Sequence, residues 1–320
     1  MQTQSEFLSL RRHLEQVIVG QAALLDRLLI AVLTGGHILL EGPPGLAKTT
    51  AVNTLASGLH ARFQRIQFTP DLMPADLTGS DIYDPKAGDF RFVPGPLFHE
   101  IVLADEINRA PPKVQSALLE AMQEHQITVG GATRRLPELF IVMATQNPLE
   151  QSGTYPLPEA QLDRFLLLVV LNYPTPDEEL RILQLDRARH YGEDPPAIAS
   201  PLQPETVLAA RREVAAIHVA DRLEKYIVTL VGATRALASW APEWADFLIA
   251  GASPRASIAL LRAASALAYL AGRDHVLPDD ILAVAPDVLR HRLIPGHPAR
   301  AAGVTTDTII HRLLEAVPVP

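Results

Sequence analysis

The feature that most restricts the fold is a glycine-rich loop set between a short apolar run and a helical pattern. HILLEG (residues 37–42) is too short for a stable helix, is mostly apolar and ends in glycine, so it reads as a buried strand. GPPGLAKTT (residues 42–50) follows at once and opens a helix. A strand, a glycine-rich turn and a helix in that order gather backbone N–H groups and the positive end of a helix dipole at one point, which suits a phosphate.

More apolar runs recur down the first half, at residues 63–68, 101–105, 139–147 and 165–171. Helical patterns separate them. Residues 5–19 carry Phe7, Leu10, Leu14 and Val17 at helical spacing, and a second pattern through Leu24, Leu28 and Val32 stops at Gly35-Gly36. Pro111 and Pro112 suit a helix start, followed by the stripe Val114, Ala117, Leu118, Ala121 and Met122. Apolar strands alternating with helices predict an α/β fold, a parallel five-stranded sheet covered on both faces. Residues 83–92 and 127–136 each hold a glycine-centred turn between strand-like arms and read as β-hairpins inserted into that core.

After Tyr173-Pro174 the strand runs stop. Helical patterns cover residues 177–190, 205–218, 222–240, 254–271 and 278–293, interrupted by a proline-rich stretch at 193–204. The expected organisation is an α/β core over 1–175, a helix and connector over 176–204, and an all-helical C-terminal lid domain over 205–320.

Composition removes several classes. Hydrophobic residues at 48% and charged residues at 20% allow a sizeable core. Lys plus Arg total 28 against 36 Asp plus Glu, a formal charge of −8, which argues against sequence-independent nucleic-acid binding. There are no cysteines, so disulfides, thiolate zinc sites and cysteine nucleophiles are excluded. The N-terminal residues lack the apolar run of a signal peptide. Charges such as Asp26, Arg27 and Arg262 break every long apolar stretch, so no membrane span is expected and the protein is read as soluble and cytoplasmic.

Five segments carry chemistry. In the loop, Lys48 would reach the β- and γ-phosphates and Thr49 would hold Mg²⁺, although Ala47 stands where the usual pattern has a second glycine. IVLADE ends a strand on Asp105 and Glu106. Pairing of neighbouring strands would bring these acids beside the loop, Asp105 to orient Mg²⁺ through water and Glu106 to polarise the attacking water. ATQNP ends another strand, where Asn147 could bond the γ-phosphate or the water; an Asn before Pro is also a common turn starter. In PEAQLDRF, Arg164 sits just before the last strand, where it could reach a neighbour's phosphate more easily than its own; the alternative is a salt bridge to Asp163 or Glu159. In GASPRA, Arg255 opens a helix of the second half and could touch nucleotide bound in the first.

Taken in order, GPPGLAKT, LADEINRAPPKVQSALLEAMQE, ATQNP, LPEAQLDRF and GASPRA resemble the signatures of the AAA+ ATPases, and within them the MoxR family, from about Val17 to past Ala271. In that family alanine at position 47 is usual. The resemblance implies a P-loop AAA+ core binding ATP and Mg²⁺, a helical lid, and a homo-oligomeric ring, often a hexamer. It implies that Gly42, Pro43, Pro44, Gly45, Leu46, Ala47, Lys48, Thr49 and Thr50 cradle the phosphates. It further implies that Val19 and Gly20 lie near the adenine, that Asn147 is the sensor-1 residue, that Arg164 is an arginine finger supplied in trans, and that Arg255 is the sensor-2 arginine, with its direction left open. Both hairpins would face a pore or a partner. The implied work is chaperone-like remodelling, maturation or metal-cofactor insertion of a client, often a protein with a von Willebrand factor A domain.

Other chemistries find little support. The histidines form no HExxH motif, and His291 and His297 are too loosely spaced for a metal site. No GxSxG marks a serine hydrolase. Arg134-Arg135 could touch nucleic acid but suit a solvated hairpin better, and Trp240 and Trp244 suit a lid core. Arg109 fits either a subunit interface or a local salt bridge. The rival functions are a nucleic-acid motor and a nucleotide-gated adaptor with little turnover.

Overall fold

The computed structural model describes residues 3–43, 45–46, 48–86, 88–147, 153–191 and 201–320. Two helices lead, α1 (Gln4–Val17) and α2 (Ala22–Thr34). α1 buries Phe7, Leu10 and Leu14, one stripe at helical spacing. α2 stops at Gly35, whose φ of 66° lets its N–H turn back to the last carbonyls.

The chain continues through β1 (Ile38–Glu41), α3 (Lys48–Gly58), β2 (Phe63–Gln67) and α4 (Pro74–Thr78). A hairpin follows, β3 (Gly79–Asp84) with β4 (Asp89–Pro94), then β5 (Ile101–Asp105) and α5 (Pro112–Glu124). A second hairpin, β6 (Gln126–Val129) with β7 (Ala132–Arg135), precedes β8 (Ile141–Gln146), α6 (Glu159–Leu162) and β9 (Leu167–Val170).

Five of these strands form one parallel sheet in the order β2-β5-β8-β1-β9. Alternate residues of the strands enter two cores. Ile38, Leu40, Ile101, Leu103, Ile141 and Met143 pack with α1 to α3 and the helices of the second half. Leu39, Val102, Ala104, Val142 and Ala144 pack on the other face with α5, Phe68, Phe140 and Phe165. Apolar side chains on both faces explain why these strands read as continuous runs rather than alternations. The order corrects one expectation, because β8 separates the acidic strand β5 from the loop strand β1. β5 and β8 are equally apolar on both faces, so nothing local in either distinguishes which one sits next to β1.

The second half contains α7 (Pro176–His190), α8 (Pro204–Ala215), α9 (Asp221–Arg235), α10 (Leu237–Trp240) and, after a short strand β10 (Leu248–Ala250), α11 (Pro254–Leu270) and α12 (Pro278–Leu289). β11 (Ile294–Pro295), α13 (His297–Ala301) and α14 (Thr306–Ala316) close the chain. The proline-rich stretch at 193–204 falls largely outside the described residues. Two details depart from the sequence reading. The pattern over 222–240 breaks at Ala236, and β10 pairs antiparallel with β11 inside a region read as wholly helical. Strands this short carry no periodic signal. Trp240 and Trp244 pack against the lid core, Trp244 stacked on Phe247. Among the described residues no helix is long and apolar enough to cross a membrane.

β9 is an edge strand, and the segment after α12 covers it. Arg290 Nη1 donates to Leu168 O at 2.7 Å, His291 Nε2 to Phe165 O at 3.1 Å, and Arg292 to Phe165 O at 2.6 Å and Leu166 O at 3.2 Å. Arg292 Nε also meets Asp163 Oδ1 at 2.8 Å. Charged side chains thus blunt an edge that could otherwise recruit another strand, and they tie the lid to the sheet. Arg292 is buried, so removing its side chain strands an anion and several carbonyls. Arg292→Ala is expected to cost about 3 kcal/mol in urea unfolding; a loss under about 1 kcal/mol would show that water replaces these bonds.

Candidate functional site

Parallel pairing brings the C-terminal ends of β1, β5 and β8 to one edge of the sheet, and a cleft of about 410 Å³ opens there. It is lined by Gly45, Leu46, Lys48, Thr49 and Thr50 from the loop and α3, by Asp105 and Glu106 at the end of β5, and by Thr145, Gln146 and Asn147 at the end of β8. Of the sequence-predicted residues, Lys48, Thr49, Asp105, Glu106 and Asn147 therefore meet in one place. Pro44, Ala47 and Pro148 lie outside the described residues, and Pro43 is not among the residues lining this cleft.

The loop is built from two different glycine demands. A Cβ on Gly42 would come within 2.9 Å of the Leu171 carbonyl oxygen, so the backbone there must lie flat against β9's exit. Gly45 has φ +86° and open space around it, so its need is conformational. Lys48 begins α3 and bends back, Nζ donating to Gly42 O at 2.8 Å. Burial lowers the Lys48 pKa from its ordinary value, against the pull of Asp105, Glu106 and Glu41. Phosphate oxygens would be better partners for that ammonium than one carbonyl.

The acidic pair is held tightly. Glu106 has φ 58° and ψ 50°, left-handed for a residue with a side chain, a conformation that persists only when neighbours enforce it. Three do so. Thr145 Oγ1 accepts from Glu106 N at 2.9 Å, Gln67 Nε2 donates to Glu106 Oε2 at 2.7 Å, and Arg109 Nε lies 3.2 Å from the same oxygen. Arg109 thus makes the local salt bridge. The Thr145 hydroxyl also donates to Asp105 Oδ1 at 2.6 Å, so one buried side chain fixes both acids. Asp105 Oδ2 is taken by Arg65 Nη2 at 2.6 Å.

Arg65, Gln67 and Thr145 are the residues that sequence reasoning missed. Their signal was faint. Arg65 and Gln67 stand two apart on a strand whose other face carries Ile66 and Phe68, which puts both side chains on one side of it. Thr145 is one polar residue inside an otherwise apolar run.

A second, more apolar slot of about 330 Å³ adjoins the first, lined by Val17, Ile18, Val19, Tyr173, Ile182 and Leu185. Gly45, Leu46 and Thr50 line both, so one ligand with an apolar ring and a phosphate chain could occupy the two together. Gly20, at φ +74°, lines the next hollow along, close against Glu178.

Arg164 and Arg255 are not in this cleft. They share another, of about 350 Å³, with His37, Asp163, Arg262 and Arg292. His37 and Leu166 immediately precede β1 and β9, so this cleft opens at the opposite end of the strands. At about 3.3 Å per residue, the path from residue 37 to 42 separates the two ends by about 16 Å, beyond an arginine's reach. Arg164 Nη1 donates to Leu119 O at 2.6 Å, not to Asp163 or Glu159. Asp163 is instead paired with Arg292, with Arg255 at 3.7 Å. The Arg255 side chain is more exposed than buried and opens α11 behind the Ser253 cap.

Other candidates resolve structurally. Arg134 lies over the Phe92 ring at 3.8 Å and 3.7 Å from Asp81, so it braces one hairpin on the other. Among the described residues no three or more histidine and acidic side chains cluster closely enough to form a metal site by themselves.

The fold defines the class, a AAA+ ATPase core with its helical lid. Residues 37–167 match the model for the ATPase family associated with various cellular activities (AAA), and residues 246–313 match the AAA lid domain. The chain is 45% identical to Chaperone MoxR1 of Mycobacterium tuberculosis over 96% of its own length and 80% of that protein's. It is 33% identical to Protein MoxR of Methylorubrum extorquens, over 97% and 94%. A crystal structure of a candidate ATPase from Cytophaga hutchinsonii superposes with a TM-score of 0.92 at 46% identity, covering 99% of this chain and 96% of that one. The chain belongs to the MoxR family of AAA+ ATPases.

Two expectations follow. Thr145→Val keeps the shape but leaves the Glu106 N–H and an Asp105 oxygen without their shared partner. It should cost about 2 kcal/mol in urea denaturation, and a neutral substitution would remove Thr145 as the brace. Burial holds the His37 pKa down to about 4 and that of His291 well below its ordinary value. Both lie below the unfolded value, so the unfolded chain binds more protons between the two, and stability is complete above about pH 6.5 and falls toward pH 4. His37 alone should contribute about 3 kcal/mol of that loss, read as a falling urea midpoint over this range; a flat midpoint would contradict it.

Proposed function

We propose that the protein hydrolyses ATP with Mg²⁺ in a homo-oligomeric ring, on the family's pattern a hexamer, and uses the energy to remodel a client protein. The observation that carries this reading is the separation of two arginines from the phosphate cleft. Lys48, Thr49, Asp105, Glu106 and Asn147 surround one cleft, and Arg164 and Arg255 line another at the far end of the sheet. Neither arginine can serve the nucleotide of its own chain, so both act on that of an adjoining copy. In this reading Arg255, like Arg164, acts in trans.

In this reading the loop amides, the α3 N-terminus and Lys48 bind the β- and γ-phosphates. The Thr49 hydroxyl and the Asp105 carboxylate are hard oxygen donors that suit Mg²⁺ with retained waters. Bound Mg²⁺ would offset charge on the phosphates. Glu106 takes a proton from the attacking water or polarises it, and Asn147 helps to place that water. Arg164 of one copy stabilises charge developing on the phosphoryl group in the next. The slot beside Val19 takes the adenine.

The name of the mycobacterial relative supports a chaperone role. The family resemblance extends the client class to proteins with von Willebrand factor A domains and the task to maturation or metal-cofactor insertion. The exposed Tyr83 and Phe90 of the first hairpin are apolar contacts such a client could meet.

Arg164→Ala should bind ATP normally while turnover falls by about 10³-fold or more, measured by phosphate release. Glu106→Gln should be similarly inactive. Mixing the two should restore activity, because a mixed boundary can pair an intact Glu106 with an intact Arg164. No recovery on mixing, or normal turnover by Arg164→Ala, would overturn the shared site.

A further inference from the structure

Asp105 already has a cation against it. Arg65, on β2, donates to Asp105 Oδ2 from Nη2 at 2.6 Å and from Nε at 3.0 Å. The other carboxylate oxygen receives the Thr145 hydroxyl at 2.6 Å. Arg65 lines the same cleft as Lys48 and Thr49. Its Nη2 also donates to Gln67 Oε1 at 2.8 Å, and Gln67 in turn donates to Glu106. Register explains the arrangement. Arg65 pairs with Leu103 and Gln67 with Asp105, and the two-residue period of β2 turns both polar side chains toward the acids.

We propose that Arg65 is a resident cation at the divalent-metal position, a positioning residue that neutralises Asp105 and that an incoming metal must displace from Oδ2. This rests on the reading that Asp105 serves a metal. A guanidinium stays charged at any working pH, so it yields the oxygen by moving, not by deprotonating. The move is open to it, because its side chain is 49% exposed while that of Asp105 is 15% exposed. Asp105 stays where Thr145 holds it, and the vacated oxygen regains its lone pairs for the metal or a metal-bound water.

Two consequences have opposite signs. Arg65 competes with the metal, so removing it tightens metal binding. Arg65 also screens two carboxylates from the phosphate cleft, so removing it weakens binding of a nucleotide that arrives without metal.

The test uses the full-length chain with ADP, which avoids turnover. Mn²⁺ binding is titrated by electron paramagnetic resonance, and fluorescent ADP binding is measured in EDTA. Arg65→Met should reach half-occupancy at about two- to fivefold lower Mn²⁺ than wild type, the range for an ion pair of this exposure, and should bind fluorescent ADP more weakly in EDTA. Arg65→Lys, which keeps charge without the fork, should fall between and guards against a folding defect in the first variant. If wild type binds Mn²⁺ with ADP and Arg65→Met binds it equally or less well, the inference is overturned and the metal reading stands. If wild type shows no ADP-dependent Mn²⁺ site, both fall.

Discussion

Because β1, β5 and β8 run parallel in a fixed register, Gly42, Asp105 and Asn147 leave the sheet at one edge. The chemistry depends on that constraint. Main-chain N–H groups and the start of α3 offer partial positive charge at the edge, and two carboxylates stand opposite. Neither group could hold this relation on a flexible loop. Here the strands are buried on both faces, so a slip of one residue would exchange the two apolar cores and turn every side chain over.

Opposite charges in the cleft already meet one another before any ligand is considered. Lys48 and Arg65 face Asp105 and Glu106, with Glu41 nearby. Each is tied to a neighbour: Lys48 to Gly42 O, Arg65 and Thr145 to Asp105, Gln67 and Arg109 to Glu106. The cost is local strain, a left-handed Glu106, and it is met by the bonds that enforce it.

The arginines show the same economy at the other end of the strands. Arg292 is spent on the β9 edge and on Asp163, leaving Arg164 and Arg255 at the rim of the cleft above it. Lid and sheet are joined by these side chains, Asp163 pairing with Arg292 at 2.8 Å and lying 3.7 Å from Arg255.

Much of this was legible in the chain. Short apolar runs, the glycine-rich loop and the pair Asp105-Glu106 specify strands, a tight glycine turn and strand-end acids by local chemistry, since glycine geometry and burial act over a few residues. Helix starts at Pro112 and Pro254 and the stop at Gly35 were equally local. Strand order was not legible, because β5 and β8 look alike and only their packing decides which one touches β1. Nor were the roles of Arg65, Gln67 and Thr145, which become site residues only when β2 and β8 flank β5. The sequence by itself determined which segments are strands, helices and loop, and which side chains could do chemistry. Tertiary structure decided which of those side chains share a cleft and which stand a sheet's length apart, because that depends on long-range pairing between segments that carry no mark of their partners.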